Sequence, residues 1–215
     1  MAIVSVNVGT PRQVTAGDGV VTTGIFKTPV AGRVRLQTLN LDGDRQADLT
    51  VHGGPDKAVY VYSAEHYPAW CDELGGELPW GAFGENFDVD GCLEDEICLG
   101  DTIRAGTALL QVTEPRLPCY KLGIKFGDPG MIKTFLDSGR TGFYGRVIEA
   151  GEVGAGDVFT IVERDSARVP VSEVTRLYTR DRGDLAAIRR VLGVAALGGG
   201  WRQHFEKRLA AAVDK

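Results

Sequence analysis

Up to about Arg164 the chain is a series of short apolar alternations punctuated by glycine, and beyond it the spacing becomes helical. Ile3, Val4, Val6 and Val8 predict a first strand ending at Gly9 and Pro11. Val20 to Phe26, Val34 to Leu41, Val51, Ala58 to Tyr62 and Gly84 to Val89 continue the pattern. Ala108 to Thr113, Phe143 to Glu149 and Val158 to Glu163 complete it. Gly-Asp pairs at Gly100 and Gly156 stand before apolar runs and mark turns. Between the strands, Ser63 and the Gly75-Gly76 pair bracket a predicted helix over 64–74, with Pro68 inside it as a possible kink, and 128–136 is a second short helix.

In the tail, Ser172 with Thr175 to Tyr178, Asp184 with Leu185, Ile188, Val191 and Leu192, and Trp201 with Phe205, Leu209 and Val213 predict three helices. Gly198 to Gly200 reads as a linker and His204 as a solvated side chain. Many short strands with few helices between them predict a mainly β fold with α elements. It is a closed or partly closed barrel over residues 1–165, since closure removes exposed sheet edges, followed by a small three-helix domain over 166–215.

A net charge of −5 argues against a nucleic-acid polymer or a membrane surface as partner, while leaving room for a local basic pocket. No apolar run is long enough to span a bilayer. Cys71, Cys92, Cys98 and Cys119 show neither disulfide density nor paired zinc spacing, so a cytoplasmic location with reduced thiols is expected.

Three clusters carry candidate chemistry. In 111–122 two prolines bracket Arg116, and Cys119 and Lys121 follow closely. Proline cannot continue a central strand, so the strand must hand over to a stiff loop there. A thiol between two cations on such a loop is placed to ionise, although most free cysteines are small buried hydrophobes and that reading stays open. In His52-Gly53-Gly54-Pro55-Asp56-Lys57, paired glycines permit left-handed backbone or close approach to a ligand, and His52 and Lys57 can both donate to an anion; a hairpin turn with a solvated lysine is the alternative. Asp42, Asp44 and Asp48 do not make an EF-hand, because Ala47 stands where its glycine should and Gly53 where its closing glutamate should. In Gly84-Glu85-Asn86-Phe87, Asn86 either offers its carboxamide to a heteroaromatic ring or satisfies neighbouring backbone.

Taken together and in this order, His52-Gly53-Gly54-Pro55, Lys57 to Tyr60, Glu85-Asn86-Phe87, and Pro115, Arg116, Pro118, Cys119 and Lys121 resemble the MOSC domain, the module related to the C-terminal part of molybdenum cofactor sulfurases. The tail resembles the three-helix extension of its YiiM-type branch. The resemblance implies a β-barrel that binds the molybdenum cofactor (molybdopterin), with Cys119 as metal ligand and catalytic residue. One cysteine is too few for a protein-built metal site, but a pterin dithiolene brings two soft sulfur ligands of its own. His52, Lys57, Arg116 and Lys121 are then charge-assisted donors to the cofactor phosphate and ring system, and Asn86 a ring partner. The implied activity is two-electron reduction of small N-hydroxylated substrates such as 6-hydroxylaminopurine. With no flavin, haem or iron-sulfur motif in the sequence, an external reductase would supply the electrons. The alternatives are a carrier that holds the cofactor or a persulfide without turnover, and a metal-free thiol enzyme.

Overall fold

The computed structural model describes residues 1–48 and 53–213; His52 and the strand signal at Val51 lie outside the described residues. The strands are β1 (Ile3–Val8), β2 (Arg12–Ala16), β3 (Gly19–Thr23), β4 (Thr28–Pro29), β5 (Arg33–Leu36), β6 (Val59–Ser63), β7 (Phe87–Val89), β8 (Thr102–Ala105), β9 (Ala108–Pro115), β10 (Phe143–Glu149), β11 (Gly151–Gly154) and β12 (Phe159–Glu163). Eight of them form one sheet in the order β12-β8-β9-β10-β6-β7-β1-β4; β11 pairs with β5 and β2 with β3. Only β6 and β7 run parallel among the described pairs.

Of the closed or partly closed barrel expected, the sheet forms the partly closed one. The sheet curls until its two ends meet at one bridge, Ala2 to Val158, supported by Ile3 N–H donating to Asp157 O at 2.9 Å. The reason lies in β1. Its free edge is already taken at Asn7 and Val8 by β4, which leaves only its first residues for the far end of the sheet. Closure is therefore limited to the backbone bonds of Met1 and Ile3 with residues 156–159.

The predicted helix over 64–74 is α1 (His66–Leu74), beginning later because Pro68 is tolerated only in a first turn. The predicted second helix is α3 (Met131–Ser138). Between them in the chain, where the sequence predicts loop, lies a further helix, α2 (Tyr120–Phe126). The tail folds as α4 (Val171–Thr179), α5 (Leu185–Leu192), capped by the Asp184 carboxylate accepting from Ala187 N–H at 2.9 Å, and α6 (Gly199–Val213).

Two apolar clusters hold these layers together. The larger joins the inward positions of β9 (Ala108, Leu110, Val112) to Val174 and Leu177 of α4, Ile188 and Val191 of α5, and Trp201 and Phe205 of α6. The last strand ends at Glu163 and the first tail helix begins at Val171, yet tail and sheet share one core. The smaller cluster is aromatic: Tyr60, Tyr62, Tyr67, Trp70, Phe83 and Phe135, with Trp70 and Phe135 stacked at 5.9 Å. It forms the floor beneath the candidate site.

Candidate functional site

β9 delivers the chain to the site. Its last rung sets Pro115 opposite Phe143, where no further N–H is needed. Pro118 holds Leu117 extended, and Cys119 occupies the N-cap of α2 in an extended conformation (φ −117°, ψ 172°). The stiff loop is therefore confined to residues 116–119, and Lys121 sits in the first turn of a helix. Seven residues are too few to display helical periodicity. The available sign was Gly127, which closes α2 in the left-handed region at φ 66°.

Lys57 ends a 3-10 turn over Pro55–Lys57 that follows Gly53 and Gly54, whose φ values of 95° and 86° make both glycines conformational requirements. Its ammonium lies 3.4 Å from the Glu114 carboxylate at the end of β9. Asn86 sits just before β7. Its carbonyl oxygen accepts from Tyr60 N–H at 3.1 Å, and its amide donates to Asn7 O at 3.2 Å and to Asp44 Oδ2 at 3.0 Å. Asp44 in turn pairs with the buried Lys27. Asn86 thus locks β1, β6 and the 42–44 turn to one another, and its remaining capacity is the second lone pair of its oxygen.

These segments surround a cleft enclosing about 680 Å³, including its open mouth. Lys57, Asn86, Arg116, Cys119 and Lys121 all line it, and so does Gly53, the neighbour of His52. Lys27 and Arg45 join them, so five cations and no carboxylate stand among its described lining residues. Arg116 is 5% exposed. Its guanidinium lies 5.0 Å from the Tyr60 ring centre and 4.9 Å from that of Phe135, and its Nη1 is buried without a hydrogen-bond partner. Burial works against its charge, but Tyr60, Tyr144, Cys119 and Glu85 outweigh that and hold it more firmly protonated than usual. Lys121 is buried and makes no ion pair among the described residues. Cys119 is half-buried at the cleft wall.

Three features of the site were not anticipated. Burial pushes the Glu114 carboxyl up to about 7, against the opposing pull of Lys57. Alternation along β9 gives no sign of it, because the register with β10 shifts between Val112 and Glu114 and residues 112–115 are all buried. Gly198 is not a bare linker: a Cβ built there meets the Glu114 carboxylate, so any side chain requires that carboxylate to move aside. His204 is half-buried among Tyr178, Trp201 and Phe205, and so only partly solvated.

Residues 48–160 match the MOSC domain and residues 169–212 the YiiM-like 3-alpha helix domain. The chain belongs to the MOSC family. It is 42% identical over 207 residues to the Bacillus subtilis (strain 168) uncharacterized protein YflK, covering 96% of this chain and 94% of that one. To the Escherichia coli (strain K12) protein YiiM it is 37% identical over 187 residues, with 86% and 83% covered. A more distant MOSC relative, a reductase of Gibberella moniliformis (strain M3125 / FGSC 7600), is 34% identical over 163 residues, 74% of this chain but only 29% of that longer protein. The fold superimposes on the crystal structure of YiiM from Geobacillus stearothermophilus with a TM-score of 0.82 at 38% identity, covering 97% and 98% of the two chains. The MOSC match contains the whole of the cationic cleft except Thr23, Gly24, Ile25, Lys27, Arg45, Gln46 and Ala47, which come from the N-terminal segment.

Proposed function

We propose that this protein is a molybdenum-cofactor-dependent reductase that converts small N-hydroxylated compounds to amines. The observation that carries the reading is the convergence of Arg45, Arg116 and Lys121 beside a cysteine on a chain of net charge −5, with Lys27 and Lys57 in the same wall paired to Asp44 and Glu114. A cleft so charged suits an anionic ligand, and the buried, unpartnered Nη1 of Arg116 is a donor that a phosphate or ring carbonyl can satisfy. Among the described residues no three His, Cys, Asp or Glu side chains gather as a protein-built metal site. The donor set therefore fits a cofactor that brings ligands of its own and takes one thiolate, from Cys119.

In this reading Lys57, Lys121 and Arg116 hold the cofactor's anionic and polar groups, with His52 as a further donor. Asn86 keeps Tyr60 and Asp44 in place beside it and offers its oxygen's second lone pair to the ring. Bound there, the cofactor supplies the two-electron chemistry, and the protein supplies binding, orientation and charge. The aromatic floor of Tyr60 and Phe83 excludes water from below. Electrons come from an external reductase; the family kinship with a longer fungal protein named a reductase supports redox work for this module. A carrier role without turnover is the rival.

Assay of 6-hydroxylaminopurine reduction, with a surrogate electron donor and protein from a host that makes the pterin cofactor, tests the reading. Adenine should form with the wild-type protein and fall at least about 100-fold with Cys119→Ala, a loss of the size expected when a reacting-centre group is removed. Equal rates for the two proteins would refute the ligand role, and cofactor-loaded wild-type protein that forms no amine would favour the carrier.

A further inference from the structure

Cys119 also lines a second cleft, of about 920 Å³ including its open mouth, between the 116–119 connection and the helical tail. Lys57, Leu117, Cys119 and Tyr144 line both clefts and stand where they meet. The remaining walls differ in chemistry from the cationic side. Tyr178 of α4 and Trp201 of α6 meet edge to face at 5.4 Å, and His204 lies 5.3 Å from Tyr178 and 6.2 Å from Trp201. The one lysine in this cleft, Lys57, is already paired with Glu114, which faces the same space.

The charge state of the aromatic wall follows from its partners. Arg208 lies 2.8 Å from His204 Nε2 and can only donate, so Nε2 accepts and the ring proton sits on Nδ1. Burial first, then Arg208 and Arg182, lower the His204 pKa and favour the neutral ring. The cleft thus offers aromatic surface, one neutral imidazole and one acid beside the sulfur. That is the complement of a flat, uncharged ring, not of a phosphate.

Resting on the function proposed above, we infer that this second cleft is the substrate site. A planar N-hydroxylated heteroaromatic ring packs against Tyr178, Trp201 and His204 with its N–OH turned toward Cys119, and the Glu114 carboxyl gives a proton to the departing hydroxyl oxygen. The balance is R–NH–OH + 2 e⁻ + 2 H⁺ → R–NH₂ + H₂O. The N–O bond breaks, the two electrons originate with the external reductase, and the oxygen leaves as water. One proton comes from Glu114, which is recharged through the open cleft, and the other from solvent. Burial keeps the Glu114 carboxyl near neutrality, where it can both give and regain a proton, with Lys57, Asp56, Tyr144, Tyr178 and His204 as the ionisable groups about it.

The test begins with cofactor-free protein, so that ring binding is read apart from turnover. Calorimetric titration with 6-hydroxylaminopurine should show binding, and N-cyclohexylhydroxylamine, a saturated analogue, should bind at least about 10-fold more weakly. Trp201→Leu and His204→Ala, each checked for native circular dichroism, should weaken the purine by at least about 10-fold and leave the molybdenum content of loaded protein unchanged. Glu114→Gln should keep the purine affinity and lower kcat by about 100-fold with KM little changed, as loss of a general acid does. Wild-type affinity in both Trp201→Leu and His204→Ala, equal binding of the flat and saturated compounds, or an unchanged kcat in Glu114→Gln would overturn the inference. If loaded wild-type protein reduces the purine while these variants behave as wild type, only the substrate cleft is refuted. If purine binds as expected but no loaded protein reduces it, the reductase reading fails instead.

Discussion

At the scale of single residues, the site works by placing charge where solvent is scarce. Glu114 is the clearest case. Its folded pKa, about 7, lies above its ordinary value of 4.5. The native state therefore holds a proton that the unfolded chain releases between those values, and stability falls as pH rises through that window. Above about pH 7 both states are ionised and this contribution is gone. Thermal unfolding of the wild type and Glu114→Gln should accordingly diverge between pH 5 and 8, with the wild type losing more of its Tm; parallel curves would contradict the assignment. Asp88, beside Glu85 in the aromatic layer, is likewise held protonated, by burial and then by its acidic neighbour. This buried pair accounts for the two partnerless carboxylate oxygens there without any bound ligand.

At the scale of elements, the site is a meeting of strand ends and helix starts. β9 ends in proline, Cys119 caps the start of α2, and α6 begins one residue after Gly198, where a side chain would meet the Glu114 carboxylate. Gly198→Ala should cost about 1–3 kcal/mol, the usual penalty for an overpacked methyl group, measured by urea unfolding. A change within error would show that the carboxylate has space to swing away. The strands were legible because half-buried strands write their burial in alternation, as Ala108 to Val112 does. α2 was not, because a seven-residue helix buries only Lys121, Leu122 and Gly123, and those three show no apolar face. Cys119, Arg116, Lys121 and Lys57 could be named because few residue types do such chemistry. That they share one cleft with Lys27 and Arg45, over 70 residues earlier than Arg116, depends on how the sheet curls. Trp201 and His204 read as ordinary tail positions, since nothing local says that a tail helix faces a distant thiol.

At the scale of the whole molecule, barrel-like sheet and tail behave as one packed body. Val174, Leu177, Ile188, Val191 and Phe205 are fully buried against the sheet's own core. A chain ending at residue 165 should lose cooperative unfolding and bind a hydrophobic dye, as a sheet stripped of its cover does; a sharp transition in that fragment would show that the sheet is self-sufficient. Among the described residues no helix is long and apolar enough to cross a membrane. The chain is net negative yet lines one cleft with five cations and no carboxylate among the described residues, which favours a small anionic ligand over an extended polyanion.

The most direct measurement is the ratio of molybdenum to pterin in wild-type, Cys119→Ser and Cys119→Ala proteins purified from a host competent in cofactor synthesis. The account predicts molybdenum and pterin together in the wild type, and in both variants a sharp loss of metal with the pterin, gripped by Lys57, Arg116 and Lys121, retained in larger measure. Metal content unchanged by either substitution would contradict it.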